Sequence, residues 1–273
     1  RAGGAMLPVQ RWSELLRRHV ARKDPEFQKK VEQHFAFIPK DQRVGPWSWV
    51  PTVSLAIVSQ VIVAMCPHAV RTFEPMPEAP SLRGVRALAF VFGSAVLGHM
   101  FRKIGAWPMI SWTMLGWTTA TLRFGAGAMG WARLQRVLTF PSLLANIITV
   151  VVWYLGILPG IIAMTPKAAR KKVITNLIFS LFLFTIHGVN LPFCFADWYI
   201  QPVHLELFDL WAGLLYGLSY LVFYLGFLDP LGVHLYFILT PRKWWGGAVY
   251  WCLLAFVALL WVGLRSWKAG TAA

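Results

Sequence analysis

Between Ala79 and Ala196 the chain has no aspartate or glutamate, yet it carries eleven lysines and arginines there. That absence excludes a soluble domain, whose surface needs charge of both signs to stay solvated. Cysteine is scarce too. Cys66, Cys194 and Cys252 are the whole complement, with no C-x-x-C spacing and an odd count, so no disulfide framework is expected. The sequence has no H-E-x-x-H and no glycine-rich loop ending in Gly-Lys-Ser/Thr, so zinc peptidase and P-loop chemistry are excluded. No repeat of fixed period stands out. Neither a metal nor an organic cofactor is expected.

What the chain has is grease and base. It is 57% hydrophobic with 15 tryptophans and a formal charge of +15, a mean hydropathy of +0.56 and a pI near 10.3. Tryptophan prefers the membrane–water boundary, and Trp47, Trp49, Trp107, Trp131, Trp198, Trp244, Trp245 and Trp267 punctuate the ends of apolar runs. The bases lie in clusters between those runs rather than on one soluble face. Anionic lipid is therefore the expected partner, and nucleic acid is not. The fold class expected is all-α: a polytopic transmembrane bundle of about six or seven spans with N-terminal amphipathic helices.

The expected layout has three parts. Residues 1–45 form a basic amphipathic extension, 46–268 the transmembrane bundle, and 269–273 a tail. In the extension, Trp12, Leu15, Leu16 and Val20 share a helical face, and Asp24-Pro25-Glu26 reads as the cap and first turn of a second helix. The chain starts on Arg1 rather than Met, which is compatible with a removed mitochondrial transit peptide. Seven apolar runs follow, roughly Trp47–Met65, Val85–Phe101, Ile104–Leu122, Val137–Met164, Val173–Trp198, Phe208–Leu228 and Trp245–Leu264. Pro67, Pro75, Pro77 and Pro80, the Gly125–Gly130 run, Thr165-Pro166 and Thr240-Pro241 are expected breaks. The positive-inside rule puts the extension, Arg102-Lys103, the Lys167–Lys172 cluster and Arg242-Lys243 on one side.

One span carries chemistry. His187-Gly-Val-Asn190-Leu-Pro192-Phe-Cys-Phe-Ala-Asp197 places an ionisable ring and an amide three residues apart, on one helix face. An ionisable group inside hydrocarbon costs roughly 2.5–3.5 kcal/mol on insertion scales unless it has partners. Pro192 removes a backbone donor and frees a carbonyl upstream, opening a polar pocket to which Asn190 and Asp197 are assigned. Asp197, ten residues beyond His187, lies about 15 Å further along the helix, so it is read as capping a helix end or pairing with a base near the interface rather than orienting the imidazole. Thr139 opens the preceding span. A hydroxyl beside a neutral imidazole is the minimum for acyl transfer, while an intramembrane His bonded to Asn or Thr is equally ordinary helix glue. A bis-imidazole haem would require matched embedded histidines, and only His99 and His187 lie well inside apolar runs.

The His187-x-x-Asn190 spacing, Leu138-Thr139-Phe140, and the order Tyr216, Tyr220, Tyr224, Gly232, Tyr236, Trp244 resemble the androgen-induced and rolling-stone-like family of multi-pass membrane proteins. The resemblance covers roughly residues 135–250. It implies a helical membrane fold and an intramembrane hydrolase of fatty-acid esters, with Thr139 and His187 as its residues. This chain departs from the pattern by lacking a span between the threonine and histidine helices. The leading expectation is accordingly an accessory, non-catalytic subunit of a larger membrane complex. The mitochondrial inner membrane, in a respiratory-chain or ATP-synthase assembly, is the expected location. Arg102, Lys103, Arg133, Arg136, Lys167, Arg170, Lys171, Lys172, Arg242 and Lys243 would bind lipid headgroups, cardiolipin among them.

Overall fold

The structure, a computed structural model, describes residues 25–34, 38–105, 107–164, 171, 175 and 181–271. Among these residues the chain is helical, with no strand. The helices are α1 (Pro25–His34), α2 (Lys40–Arg43), α3 (Trp49–Arg71), α4 (Arg83–Ile104), α5 (Trp112–Ala128), α6 (Ala132–Val151), α7 (Leu158–Met164), α8 (Leu181–Phe184), α9 (Asn190–Ile200), α10 (Leu207–Phe223) and α11 (Trp244–Thr271). Among the described residues five stretches are long and apolar enough to cross a membrane: Trp49–Arg71, Pro80–Lys103, Ala132–Gly156, Leu207–Leu228 and Trp244–Gly270. The molecule is an all-α, multi-pass membrane helical bundle. The first expected amphipathic helix, around Trp12, and most of the Lys167–Lys172 cluster lie outside the described residues.

Three expected boundaries move. Pro67 does not end the first span, because α3 runs through it to Arg71. The third span does not begin at Ile104, because Gly105 at φ +77° ends α4 and Ser111 caps α5, its hydroxyl accepting from the Met114 amide. Nor is Gly125–Gly130 a break throughout. α5 runs on to Ala128, and its glycines serve close approach: a Cβ at Gly125 would stand 2.9 Å from the Phe90 ring. Only Gly130, at φ +74°, makes the turn.

Proline shapes three helices in one manner. π-Helical segments occupy Val152–Ile157, Thr185–Val189 and Tyr224–Leu228. Pro159, Pro192 and Pro230 follow them, each four residues beyond a residue within the segment. A proline ring clashes with the carbonyl four residues back and offers it no N–H, and widening the helix relieves both problems.

The chain divides into two compact units. Unit 1 is Arg1–Cys66 with Leu214–Leu259, and unit 2 is Pro67–Gly213 with Leu260–Ala273. In unit 1, Gly247 lets the start of α11 meet α3, since a Cβ there would be 2.8 Å from Ser54 Oγ and 2.9 Å from Val50. The segment before α3 is tied to the loop before α11: Thr240 Oγ1 donates to the Gln42 carbonyl at 2.8 Å and the Ser48 amide donates to the Pro241 carbonyl at 2.8 Å. That loop is stapled by the buried Asp229, which takes a two-pronged bond from Arg242 at 2.6 and 2.9 Å.

In unit 2, α4, α5 and α6 run antiparallel in turn. Gly127 meets Arg86 while Gly93 meets Thr121, and Gly127 meets Gln135 while Gly116 meets Asn146. α9 then lies antiparallel to α6, with Asn190 on Asn146 and Cys194 and Ser142 bridged by Arg123. Gly213 of α10 receives Phe140, whose ring would be 2.5 Å from a Cβ there, whereas Gly217 faces open space.

Candidate functional site

α6 is an apolar span with one polar face. Gln135, Arg136, Thr139, Ser142, Asn146 and Thr149 are all buried. Their spacing of three and four residues stacks them on the side turned into unit 2. Such groups in hydrocarbon must be satisfied by protein. Thr139 Oγ1 donates to its own helix at the Gln135 carbonyl, 2.7 Å away. Ser142 Oγ donates to the Thr139 carbonyl at 2.9 Å and accepts from Arg123 Nη1 at 3.1 Å. Asn146 Nδ2 donates to the Ser142 carbonyl at 2.7 Å and sits 3.4 Å from Cys194 Sγ, while its amide oxygen accepts from Asn190.

This seam ends in a buried charge cluster. Asp197 Oδ1 accepts from Arg86 Nε at 2.8 Å, and Oδ2 accepts from Arg123 Nη2 and Gln201 Nε2, each at 2.7 Å. Arg123 is fully buried and its Nη1 also reaches the Cys194 carbonyl at 3.3 Å. Nearby, Arg136 Nη2 donates to Asp209 Oδ2 at 2.6 Å. Lys268 donates to the Trp198 carbonyl at 2.7 Å and to that of Gln201, with its ammonium 4.8 Å from the Trp198 ring centre. These groups come from the start of α4, the end of α5, the start of α6, the end of α9, the start of α10 and the end of α11. They therefore gather at one end of unit 2. Toward the other end lies an apolar cluster of Met100, Met114, Trp117 and Ile186.

The expected residues fall as follows. Thr139 and His187 are not brought together. His187 Nδ1 lies 3.1 Å from the Leu183 carbonyl, and its ring stacks on Trp153 with centroids 3.8 Å apart and planes 2° from parallel. No hydrogen bond among the described residues joins the two. The reason is geometric. Thr139 is seven residues from Asn146 and His187 three from Asn190, on opposite sides of that pair, so they differ by about 15 Å in depth. Asn190 and Asp197 do not share a pocket either: one completes the amide pair, the other the arginine cluster. Among the expected headgroup cations, Arg102, Lys103, Arg133 and Lys171 are exposed, while Lys167, Arg170 and Lys172 lie outside the described residues. Arg136 and Arg242 do not reach a headgroup. Both are buried against the chain's own carboxylates, because an unpaired guanidinium is far costlier to bury than a paired one. Lys243 pairs with Asp41.

Arg86, Arg123, Ser142, Asn146 and Lys268 were not singled out from sequence. The signal was present, since Asp197 is the first acid after the long acid-free stretch and so the natural counter-ion for cations within it. Among the described residues no group of three or more His, Cys, Asp or Glu could hold a metal. The fold and this seam define a class: a multi-pass helical membrane protein with a polar, charge-paired interior. Compared with known protein families, characterised proteins and solved structures, the chain matches none.

Proposed function

We propose that the protein is a non-catalytic, multi-pass subunit of a larger membrane assembly. In this reading it fills helix–helix interfaces and holds anionic lipid. The observation that carries it is the state of the two candidate reactive residues. Thr139 spends its hydroxyl proton on its own helix, and His187 is held against the Leu183 carbonyl of its own helix and stacked on Trp153 of the span that continues α6. A nucleophile and base must lie within hydrogen-bond reach for acyl transfer, and these lie about two helical turns or more apart. The seam between them reads as a device for locking helices in register.

Two features supply the contact surfaces. α4 turns Val85, Leu88 and Val91 outward, and α3 does the same with Val53, Ile57 and Val61. Such faces suit lipid tails or the helices of neighbouring subunits. The exposed Arg102, Lys103, Arg133 and Lys171 suit headgroup phosphates, with cardiolipin as the preferred lipid and the mitochondrial inner membrane as the location that fits the strong basicity. The ester-hydrolase reading implied by the androgen-induced resemblance requires Thr139 and His187 to meet.

The test is to solubilise native membranes in a mild detergent and follow the protein on a native gel. Migration far above the mass of the chain, together with no fatty-acid ester hydrolysis that responds to His187→Ala, is the expected outcome. Migration alone, with ester hydrolysis that vanishes in H187A, would reverse the assignment.

A further inference from the structure

We propose that unit 2 binds the hydroxyl of an uncharged lipid alcohol at its hydrocarbon-facing surface. His187 Nε2 accepts a hydrogen bond from that hydroxyl, and the Tyr154 hydroxyl donates one to the same oxygen. The proposal goes beyond the subunit reading and does not use it, so either can fail alone.

Two unpartnered polar groups meet there. His187 Nδ1 lies 3.1 Å from the Leu183 carbonyl, and a carbonyl can only accept, so Nδ1 carries the ring proton. In a neutral imidazole Nε2 is then left with a lone pair. Nε2 has no hydrogen-bond partner among the described residues, and neither has the Tyr154 hydroxyl. That hydroxyl stands 3.5 Å from where a Cβ on Gly188, the neighbour of His187, would be. Trp153, next to Tyr154 in the chain, fixes the imidazole by stacking on it at 3.8 Å. All four residues lie on the π segments Val152–Ile157 and Thr185–Val189, and π turns inside α-helices are frequent at functional sites. The polarity continues inward. Thr118, Thr119 and Thr139 spend their hydroxyls on carbonyls four residues back, whereas Thr149 Oγ1 and Asn190 Oδ1 are buried without a partner. The Asn146–Asn190 and Trp153–His187 contacts bracket Thr149 along its helix.

The pair sets the ligand's polar chemistry. One acceptor and one donor, both uncharged, suit a single hydroxyl, which gives one bond and takes another. An ester or ether oxygen would satisfy Tyr154 and leave Nε2 unmet. Neither group neutralises a charged headgroup. The surroundings set the ligand's body. Leu155 and Phe184, beside the pair, are 75% and 51% exposed, and His187 lies ten residues, about 15 Å, from the charged end at Asp197. A ligand at that depth arrives through acyl chains, where a charge is costly and an uncharged lipid is not. Water makes the same two bonds but gains nothing from the apolar surface around them.

The experiment uses the full chain purified in an uncharged maltoside and a dialkylglycerol with a photoreactive diazirine on one chain. Its ether links leave no ester to hydrolyse, so the result stands apart from any hydrolase activity. Labelling is expected on peptides holding residues 153–155 and 184–188, and unlabelled dialkylglycerol should compete it away. The O-methyl ether of the same lipid keeps an acceptor for Tyr154 and loses the donor to His187. It should need about fivefold more to compete, equivalent to one neutral hydrogen bond. Tyr154→Phe should raise the competing concentration of the alcohol by a similar factor. It should also keep the melting midpoint, since no protein bond is lost. In His187→Phe, which retains a ring against Trp153, alcohol and ether should compete equally. The proposal is overturned if labelling falls elsewhere, or if Y154F binds the alcohol like the wild type. It is also overturned if alcohol and ether compete alike in the wild type or not at all, the result for a seat that holds only water. Oleic acid competing better than the alcohol would overturn it in favour of a carboxylic acid.

Discussion

One carboxylate holds the interior of unit 2. Asp197 accepts from two buried guanidiniums and an amide, so removing its charge strands both arginines. Asp197→Asn is expected to lose about 3–5 kcal/mol, the usual result of breaking a buried pair from one side. Arg123→Met is expected to cost less, because Asp197 keeps Arg86 and Gln201. Chemical or thermal melts in detergent rank the two, and the reverse order would contradict the pairing. At the surface, Lys243 beside Asp41 holds that carboxyl below its ordinary value of 3.8 through a hydrogen bond. A depressed carboxylate contributes stability that is full above its unfolded pKa and is lost as pH falls through the folded one. The pair therefore acts at neutral pH and fades below about pH 3.8. Being exposed, it is also screened by salt. The melting difference between wild type and Asp41→Asn should be small at pH 7, shrink in high salt, and vanish in strong acid.

At the scale of the element, α6 carries both an apolar exterior and a polar interior stripe. Its amide pair with α9 is the contact that sets register between the two helices. Deleting one member of a buried pair leaves the other unsatisfied, at about 1–3 kcal/mol, whereas replacing both by apolar groups approaches neutrality. Asn146→Leu and Asn190→Leu are each expected to destabilise, and the double variant to lose clearly less than the sum. A double-mutant cycle on melting midpoints gives the coupling, and simple additivity would refute the pair as a register lock. The π segments before Pro159, Pro192 and Pro230 are a second helix-scale device. The one at Thr185–Val189 offers the Ile186 carbonyl, which takes the Trp117 indole N–H at 2.9 Å.

For the whole chain, cations divide by environment. In unit 2, Arg86 at the start of α4 is buried and paired with acid, while Arg102 and Lys103 at its far end are exposed. A helix of 22 residues is about 33 Å long, enough to put its ends on opposite sides of a bilayer. Arg133, at the head of α6, belongs to the Arg86 end. Cysteines placed at 102 and 133 in a cysteine-free background should therefore react with an impermeant maleimide from opposite membrane faces. The positive-inside rule assigns the 102 side to the interior, and labelling of both from one face would refute the span.

How much was legible in advance follows from the range of each force. Burial of long apolar runs depends on composition over some twenty neighbouring residues, so the membrane class, helical architecture and most spans could be read from the chain alone. The spacing of Gln135, Thr139, Ser142, Asn146 and Thr149 even marked an interior face. Which cation finds which acid could not be read. Arg86, Arg123 and Asp197 come from helices far apart in the chain, and meet only because antiparallel packing brings their charged ends level. The same packing set Thr139 and His187 at different depths, although their residue types invited a catalytic pair. Local pattern determined that polar groups lie inside. Tertiary packing alone decided their partners, because a hydrogen bond or ion pair depends on ångström-scale proximity that sequence separation does not encode.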